Sequence, residues 1–261
     1  MFDFHLHTTV SYDGHNTPEE MALAAKAAGL QEICFTDHLD YNPNYQKEEI
    51  AYDVESYNAA HDGVCVPGLT IAHGAEVGLT PWNREEIQRD LSLRHYDFVI
   101  GSVHFINDED PYFPPYWVGK DVDTAESAYF EETLKCLKAH DNFDVLGHLT
   151  YIGKVRAHPN RRAVALDKYR DMVEEIMKIL IAKGKGMEIN TSGIDRIGDF
   201  LPGKEYLQLY KQLGGEIVTI GSDAHATDRV GQYTADALAL LRDTFGYVCT
   251  FRDRTPVFHK L

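Results

Sequence analysis

The chain of 261 residues is 44% hydrophobic, enough for a sizeable core in one large domain or two modest ones. Forty-one Asp and Glu against twenty-five Lys and Arg give a formal charge of −16, which disfavours nucleic acid or anionic membranes as partners through a basic face. No apolar run approaches the ~18 residues of a membrane span and no secretion-signal layout opens the chain, so a cytoplasmic protein is expected, while Cys34, Cys65, Cys136 and Cys249 lack the C-x-x-C pairing of a thiolate zinc site.

Taken in chain order, strand-like runs alternate with helix-like stretches. The strand candidates are FDFHLH (2–7), QEICFTDH (31–38), TIAHGAEV (70–77), YDFVIGSVH (96–104), FDVLGHL (143–149), GMEINTSG (186–193) and GEIVTIGSDAH (215–225). After the first comes TPEEMALAAKAAGL, with Thr17 as N-cap, Pro18 at the first helical position and Gly29 as the stop. RRAVALDKYRDMVEEIMKILIAKG (161–184) has apolar residues at three- and four-residue steps, the pattern of a helix with one buried face. No linker or low-complexity tract interrupts this order, so one domain is expected over 1–261. Parallel neighbours need crossovers of a dozen or more residues, so the alternation predicts an α/β barrel. YVCTFRDRTPVF (247–258) is a candidate for an eighth strand but lacks the polar ending of the others.

That ending carries the functional reading. Active sites of (β/α) barrels sit at the C-terminal ends of the strands. Here those ends carry His5 and His7, Asp37 and His38, Glu76, His104, His148, and Asp223 and His225. Alternation along a strand sends residues two apart to the same face, so His5 pairs with His7 and Asp223 with His225. Of thirteen histidines, His61, His95, His140, His158 and His259 read as ordinary surface or hydrogen-bonded core residues. The odd offset of His73 from Glu76 points it to the opposite face. Imidazole and carboxylate without thiolate suit zinc, iron or manganese. Seven of the histidines, His15 among them, with Glu76 and Asp223 offer nine donors, too many for one ion, and imply two or three divalent metals.

The motifs HLHTTVSYDGH, FTDH, GAEVG, GSVHF, GHL, NTSG and GSDAH, in this order over nearly the whole chain, resemble the polymerase-and-histidinol-phosphatase (PHP) superfamily, specifically its monofunctional histidinol-phosphatase branch. The resemblance implies a distorted (β/α)7 TIM-like barrel with a trinuclear metal centre at its mouth. It assigns His5, His7, Glu76 and Asp223 to a first metal, with Glu76 bridging to a second held by His104 and His148. His15, His38 and His225 would hold the third, and Asp37 would orient a ligand or contact an ion directly. Thr150 stands where many relatives have an acidic residue, and the last motif lacks a following proline; neither departure touches a ligand.

The implied chemistry is hydrolysis of a phosphate monoester, most simply L-histidinol phosphate in histidine biosynthesis, by a water activated between metals. Glu76, Asp223 and His225 are the expected catalytic residues, His225 or a metal-held water assisting the leaving group. Arg161 and Arg196 are candidates for phosphate recognition, since a guanidinium fork matches phosphate oxygens. The loop 106–121 is long enough to cover the mouth. Its Phe113, Tyr116 and Trp117 suit an imidazole, and Asp108, Glu109 or Asp110 an ammonium group. Another small phosphorylated substrate or a phosphoprotein is the alternative; a noncatalytic metal-binding module is disfavoured by the full ligand set. No cysteine starts a C-x5-R motif, and DVDTA (121–125) follows no apolar strand, so covalent phosphatase routes lack support. Oligomeric state is not legible.

Overall fold

A computed structural model describes residues 1–261. Seven parallel strands form its main sheet: β1 (Phe2–Leu6), β2 (Glu32–Phe35), β4 (Thr70–Gly78), β5 (Phe98–Ser102), β6 (Val145–Leu146), β7 (Gly186–Asn190) and β8 (Val218–Gly221), neighbours in that order. The two-residue β3 (His38–Leu39) continues the line of β2 along β4 in unbroken register, Phe35 opposite His73 and His38 opposite Glu76. The ring closes between β1 and the end of β8, where the Asp223 and His7 N–H groups donate to His5 and Ala224 carbonyls, each at 2.9 Å. This is the expected seven-unit barrel.

The flanking helices follow their sequence signals. Thr17 and Glu20 cap helix Pro18–Ala27 reciprocally, and its Met21, Ala22 and Ala25 are buried with Leu6, Ile33 and Phe35 between helix and sheet. Helix Leu166–Ala182 starts five residues into the predicted stretch and buries Val173, Ile176, Met177 and Leu180. The DVDTA segment is a helix start: Asp121 accepts from the Thr124 N–H at 3.0 Å, capping helix Val122–Ala139, and Asp123 pairs with lysine and arginine at the surface. No helix is long and apolar enough to cross a membrane.

The candidate for an eighth strand does not join the barrel. Residues 247–258 belong to an antiparallel hairpin of β9 (Tyr247–Arg252) and β10 (Thr255–Lys260), turned by Asp253 and Arg254, both at positive φ. Phe251 lies 4.8 Å, ring to ring, from Phe98, in a buried cluster with Phe4, Cys34, Ala72, Ile100 and Val145 that fills the barrel floor. Arg254 locks the hairpin there, its N–H on the Asp97 carbonyl and its guanidinium 2.5 Å from Asp144.

One irregularity in β1 positions the site. The four residues of β1 from Asp3 to Leu6 oppose three of β2, Ile33 to Phe35, a bulge that lets Phe4 join the floor while the next residue, His5, turns to the mouth. Buried Asp3 accepts from the N–H groups of His5, Ser222 and Gly231, tying the bulge to the loop after β8. Truncating the floor should cost stability without touching the mouth: Phe251→Ala is expected to lose about 3–5 kcal/mol in urea or thermal unfolding. Its bound-metal content should equal that of the wild type.

Candidate metal centre

Glu76, near the end of β4, is fully buried with an oxygen facing each half of a donor ring. Its Oε2 lies 3.1 Å from His5 Nε2, 3.4 Å from His7 Nε2 and 3.2 Å from His38 Nδ1. Its Oε1 lies 2.7 Å from His148 Nε2 and 3.3 Å from His104 Nε2, and accepts from the Ser102 hydroxyl at 2.6 Å. Asp223 Oδ1 stands 3.7 Å from His5 Nε2 and 3.5 Å from His7 Nε2. Two donors of one tetrahedral ion, each about 2.0–2.1 Å from it, are about 3.3 Å apart, the spacing seen throughout this cluster.

The donor set fits divalent cations on a second ground. Glu76 Oε2, His38 Nδ1, Asp40 Oδ2, Asp13 Oδ1 and His148 Nδ1 are buried without a hydrogen-bond partner. Buried polar atoms are rarely left so unless an ion or water completes them. Residues that could share an ion are His5, His7 and Asp223; His5, Glu76 and His148; His7, His38 and His225; and His38, Asp40 and His104.

Most imidazoles are aimed by their other nitrogen. His5 Nδ1 is 2.6 Å from Glu188 of β7, whose other oxygen accepts from the His148 N–H at 2.8 Å. His104 Nδ1 is 2.9 Å from Asp40, and His225 Nδ1 is 2.9 Å from the Asp223 carbonyl. His7 Nδ1 is 3.1 Å from Ser11 Oγ, which donates to Asp37 at 2.8 Å and accepts the His38 N–H at 3.1 Å. With Ser11's one proton on Asp37, His7 must donate from Nδ1, which bares Nε2 toward the centre. Asp37 therefore acts as an orienting residue rather than a ligand, and buried His61, 3.1 Å from its Oδ2, supports it from behind.

Charge in the cluster is mutually held. Burial pushes the Glu76 carboxyl up, but His5, His104 and His38 hold it well below the usual range. Burial likewise opposes ionisation of Asp223, and Lys154 and His5 outweigh it. Burial, with His225 and His38 adding repulsion, brings His7 down to about 4. For His225, burial pulls down but Asp13, 3.1 Å from its Nε2, raises it to about 9. Asp223 also has a left-handed φ of 57°, a strained conformation of the kind that clusters at functional sites.

The structure brings eight of the nine predicted donors together and leaves out His15. Its side chain is exposed, and only its N–H is engaged, on the His225 carbonyl. Two successive turns, Thr8 to Ser11 and Ser11 to Gly14, present Asp13 instead, 3.1 Å from His225 and 3.7 Å from His38. Gly14 is packed so closely on the Thr8 carbonyl that no side chain fits there. Arg161 and Arg196 are exposed and contact none of the donors. The cation that does is Lys154, 2.7 Å from Asp223 and 2.6 Å from Ser192.

Of the loop aromatics, Tyr116 and Trp117 are buried in the core, where Tyr116 donates to the Ala125 carbonyl and Trp117 to that of Pro111; Phe113 stays exposed. Asp108 receives the Trp82 N–H and Glu109 pairs with Lys120, whereas Asp110 accepts from the Tyr112 N–H. Glu188, Asp40, Asp13 and Lys154 escaped the sequence reading. Asp40 follows His38 by two, the alternation that would have found it, and Glu188 is a lone acid in an apolar strand.

Residues 3–192 match the PHP domain. The chain belongs to the PHP domain family. Over 243 residues this PHP domain is 28% identical to a probable histidinol-phosphatase of Clostridium acetobutylicum, covering 92% of each chain. It is 28% identical over 238 residues to the histidinol-phosphatase of Lactococcus lactis subsp. lactis, covering 87% of this chain and 85% of that one. The crystal structure of the histidinol phosphate phosphatase from Lactococcus lactis subsp. lactis, complexed with zinc, L-histidinol and phosphate, superposes with a TM-score of 0.82 at 26% identity, covering 98% of both chains. If Asp13 and not His15 serves the PHP-domain centre, Asp13→Ala should lower bound metal per chain in elemental analysis. His15→Ala should leave it unchanged.

Proposed function

We propose that this chain is a metal-dependent phosphatase hydrolysing L-histidinol phosphate to L-histidinol and phosphate, a step of histidine biosynthesis, as one domain spanning 1–261. The observation that carries the reading is Glu76, whose two oxygens address two halves of one donor ring in a fold shared with a relative complexed with zinc, L-histidinol and phosphate. The ions would number two or three. His5, His7, Glu76 and Asp223 would hold the first, Glu76, His104 and His148 the second, and His38, His225 and Asp13 the third. Divalent ions on these donors supply Lewis acidity toward phosphoryl oxygens and a water acidified toward neutral pH.

The chain's own groups do the rest. Glu76 and Asp223 keep their negative charge at the centre. Lys154, on a short turn beside Asp223, offers its ammonium to a phosphoryl oxygen, and Ser192 fixes its direction. Arg161 and Arg196, both exposed, would be further candidates for binding the phosphate. His225, the most exposed of the ring imidazoles, lies where a leaving group would pass. Asp110, held by the Tyr112 N–H on the rim, is the carboxylate for a substrate ammonium group. The surface is acidic, so local cations rather than net charge would draw in the phosphate.

Phosphate release by metal-loaded protein from histidinol phosphate, nucleoside monophosphates and phosphotyrosine tests the substrate. The expected result is a kcat/KM for histidinol phosphate well above the rest; equal values would overturn the assignment. Glu76→Gln keeps the shape but removes the charge shared by both halves. Turnover should fall by about 10³-fold or more, with loss of bound metal; full activity would defeat the shared-carboxylate mechanism.

A further inference from the structure

Tyr151 opens the short turn after β6, and its ring lies against two of the donors. The ring centroid is 5.2 Å from that of His148 and 5.5 Å from that of His104, and Lys154 Nζ stands 5.6 Å from it. The backbone there is fixed: the Tyr151 N–H donates to the His148 carbonyl at 2.7 Å, and the Lys154 N–H to the Tyr151 carbonyl at 3.0 Å. The ring position is therefore set by the same turn that delivers Lys154.

The hydroxyl is a different matter. Four fully or nearly fully buried tyrosines spend theirs: Tyr52 on Tyr96, Tyr57 on the Gly74 carbonyl, Tyr206 on the Val164 carbonyl and Tyr210 on the Lys185 carbonyl. The Tyr151 hydroxyl has no such partner, although the residue is half-buried beside charged groups. An ordinary phenol is protonated at neutral pH, so the oxygen carries a proton to donate. The ring packs on His148 and His104 with Lys154 nearby, and Tyr151 is half-buried where the next two residues of its turn, Ile152 and Gly153, are buried, so it stands at the boundary between the donor cluster and solvent.

A phosphate monoester with its phosphoryl oxygens toward Lys154 and toward the ions that the donors would hold must send its organic group out past the rim. Its ester oxygen then falls at that boundary. We propose that Tyr151 is a catalytic residue whose phenolic O–H donates a hydrogen bond to the ester oxygen of the substrate. The inference rests on the phosphatase reading above. In the hydrolysis, the oxygen of water forms the new bond to phosphorus and the P–O ester bond breaks with its electron pair on the ester oxygen. A proton from the same water ends on that oxygen. Tyr151 keeps its own proton, and its hydrogen bond strengthens as charge accumulates on the ester oxygen, which is where a donor lowers the barrier.

The test is Tyr151→Phe, which removes only the unpartnered hydroxyl and leaves the ring packed on His104 and His148. Two substrates are compared: histidinol phosphate, whose alkoxide leaves poorly, and p-nitrophenyl phosphate, whose phenolate needs little help. For histidinol phosphate kcat should fall by about 10²-fold, the effect of one lost transition-state donor. For p-nitrophenyl phosphate it should change by less than about threefold, with bound metal and melting temperature as in the wild type. Equal losses on both substrates, no loss on either, or loss of metal would each overturn the proposal. A wrong substrate assignment shows itself in the wild type instead. In that case the comparison is made with whichever alkyl monoester the wild type hydrolyses, so the two failures remain distinct.

Discussion

A single carboxylate sets the terms for the rest of this molecule. Glu76 is fully buried, and burying a lone charge costs several kcal/mol unless partners surround it. The partners come from strands that have no other reason to converge: β1, β3, the loops after β5 and β6, and the end of β8. A closed parallel barrel brings all of those ends to one mouth, and β4 runs far enough past β2 to place Glu76 at its middle. The two-residue β3 exists because β4 extends, giving His38 a backbone partner opposite Glu76. Fold and charge are thus one problem with one solution.

Behind the ring lies an ordered set of protons. Glu188, Asp40, the Asp223 carbonyl and Ser11 each occupy the Nδ1 atom of one imidazole, leaving Nε2 directed inward. Ser11 does this only because Asp37 takes its hydroxyl proton, and Asp37 is itself held by Thr8 and His61. Such outer partners fix ring orientation before any ligand arrives, which reduces the reorganisation that binding would otherwise require.

How much of this the sequence disclosed depended on whether a residue's direction followed from its strand. His5, His7, His38, Glu76, His104, His148, Asp223 and His225 were legible because they lie on or directly after strands, where alternation fixes the face. Asp13 and Lys154 lie in turns, where strand alternation does not reach: the double turn Thr8–Ser11–Gly14 sets the aim of the first and Ser192 that of the second. His15 falls outside the cluster for the same reason: the double turn ahead of it decides which of two neighbouring polar side chains faces inward. Tyr116 and Trp117 looked like lid aromatics by composition, but a short helix folds them into the core. The hairpin was missed because an apolar alternating run does not announce its partner's direction. Its turn, Asp253–Arg254, also lacks the glycine that usually marks such a reversal.

Ring closure between β1 and β8 has a consequence for how the protein comes into being. His5 and Asp223 are hydrogen-bonded neighbours in the finished barrel, yet more than two hundred residues of chain separate them. On the ribosome the first two imidazoles are made early and must wait, unmatched, until nearly all of the remaining units have emerged. An ion encountered during that interval finds only fragments of its coordination shell. A full coordination shell for an ion would therefore form only at ring closure, when Asp223 joins His5 and His7.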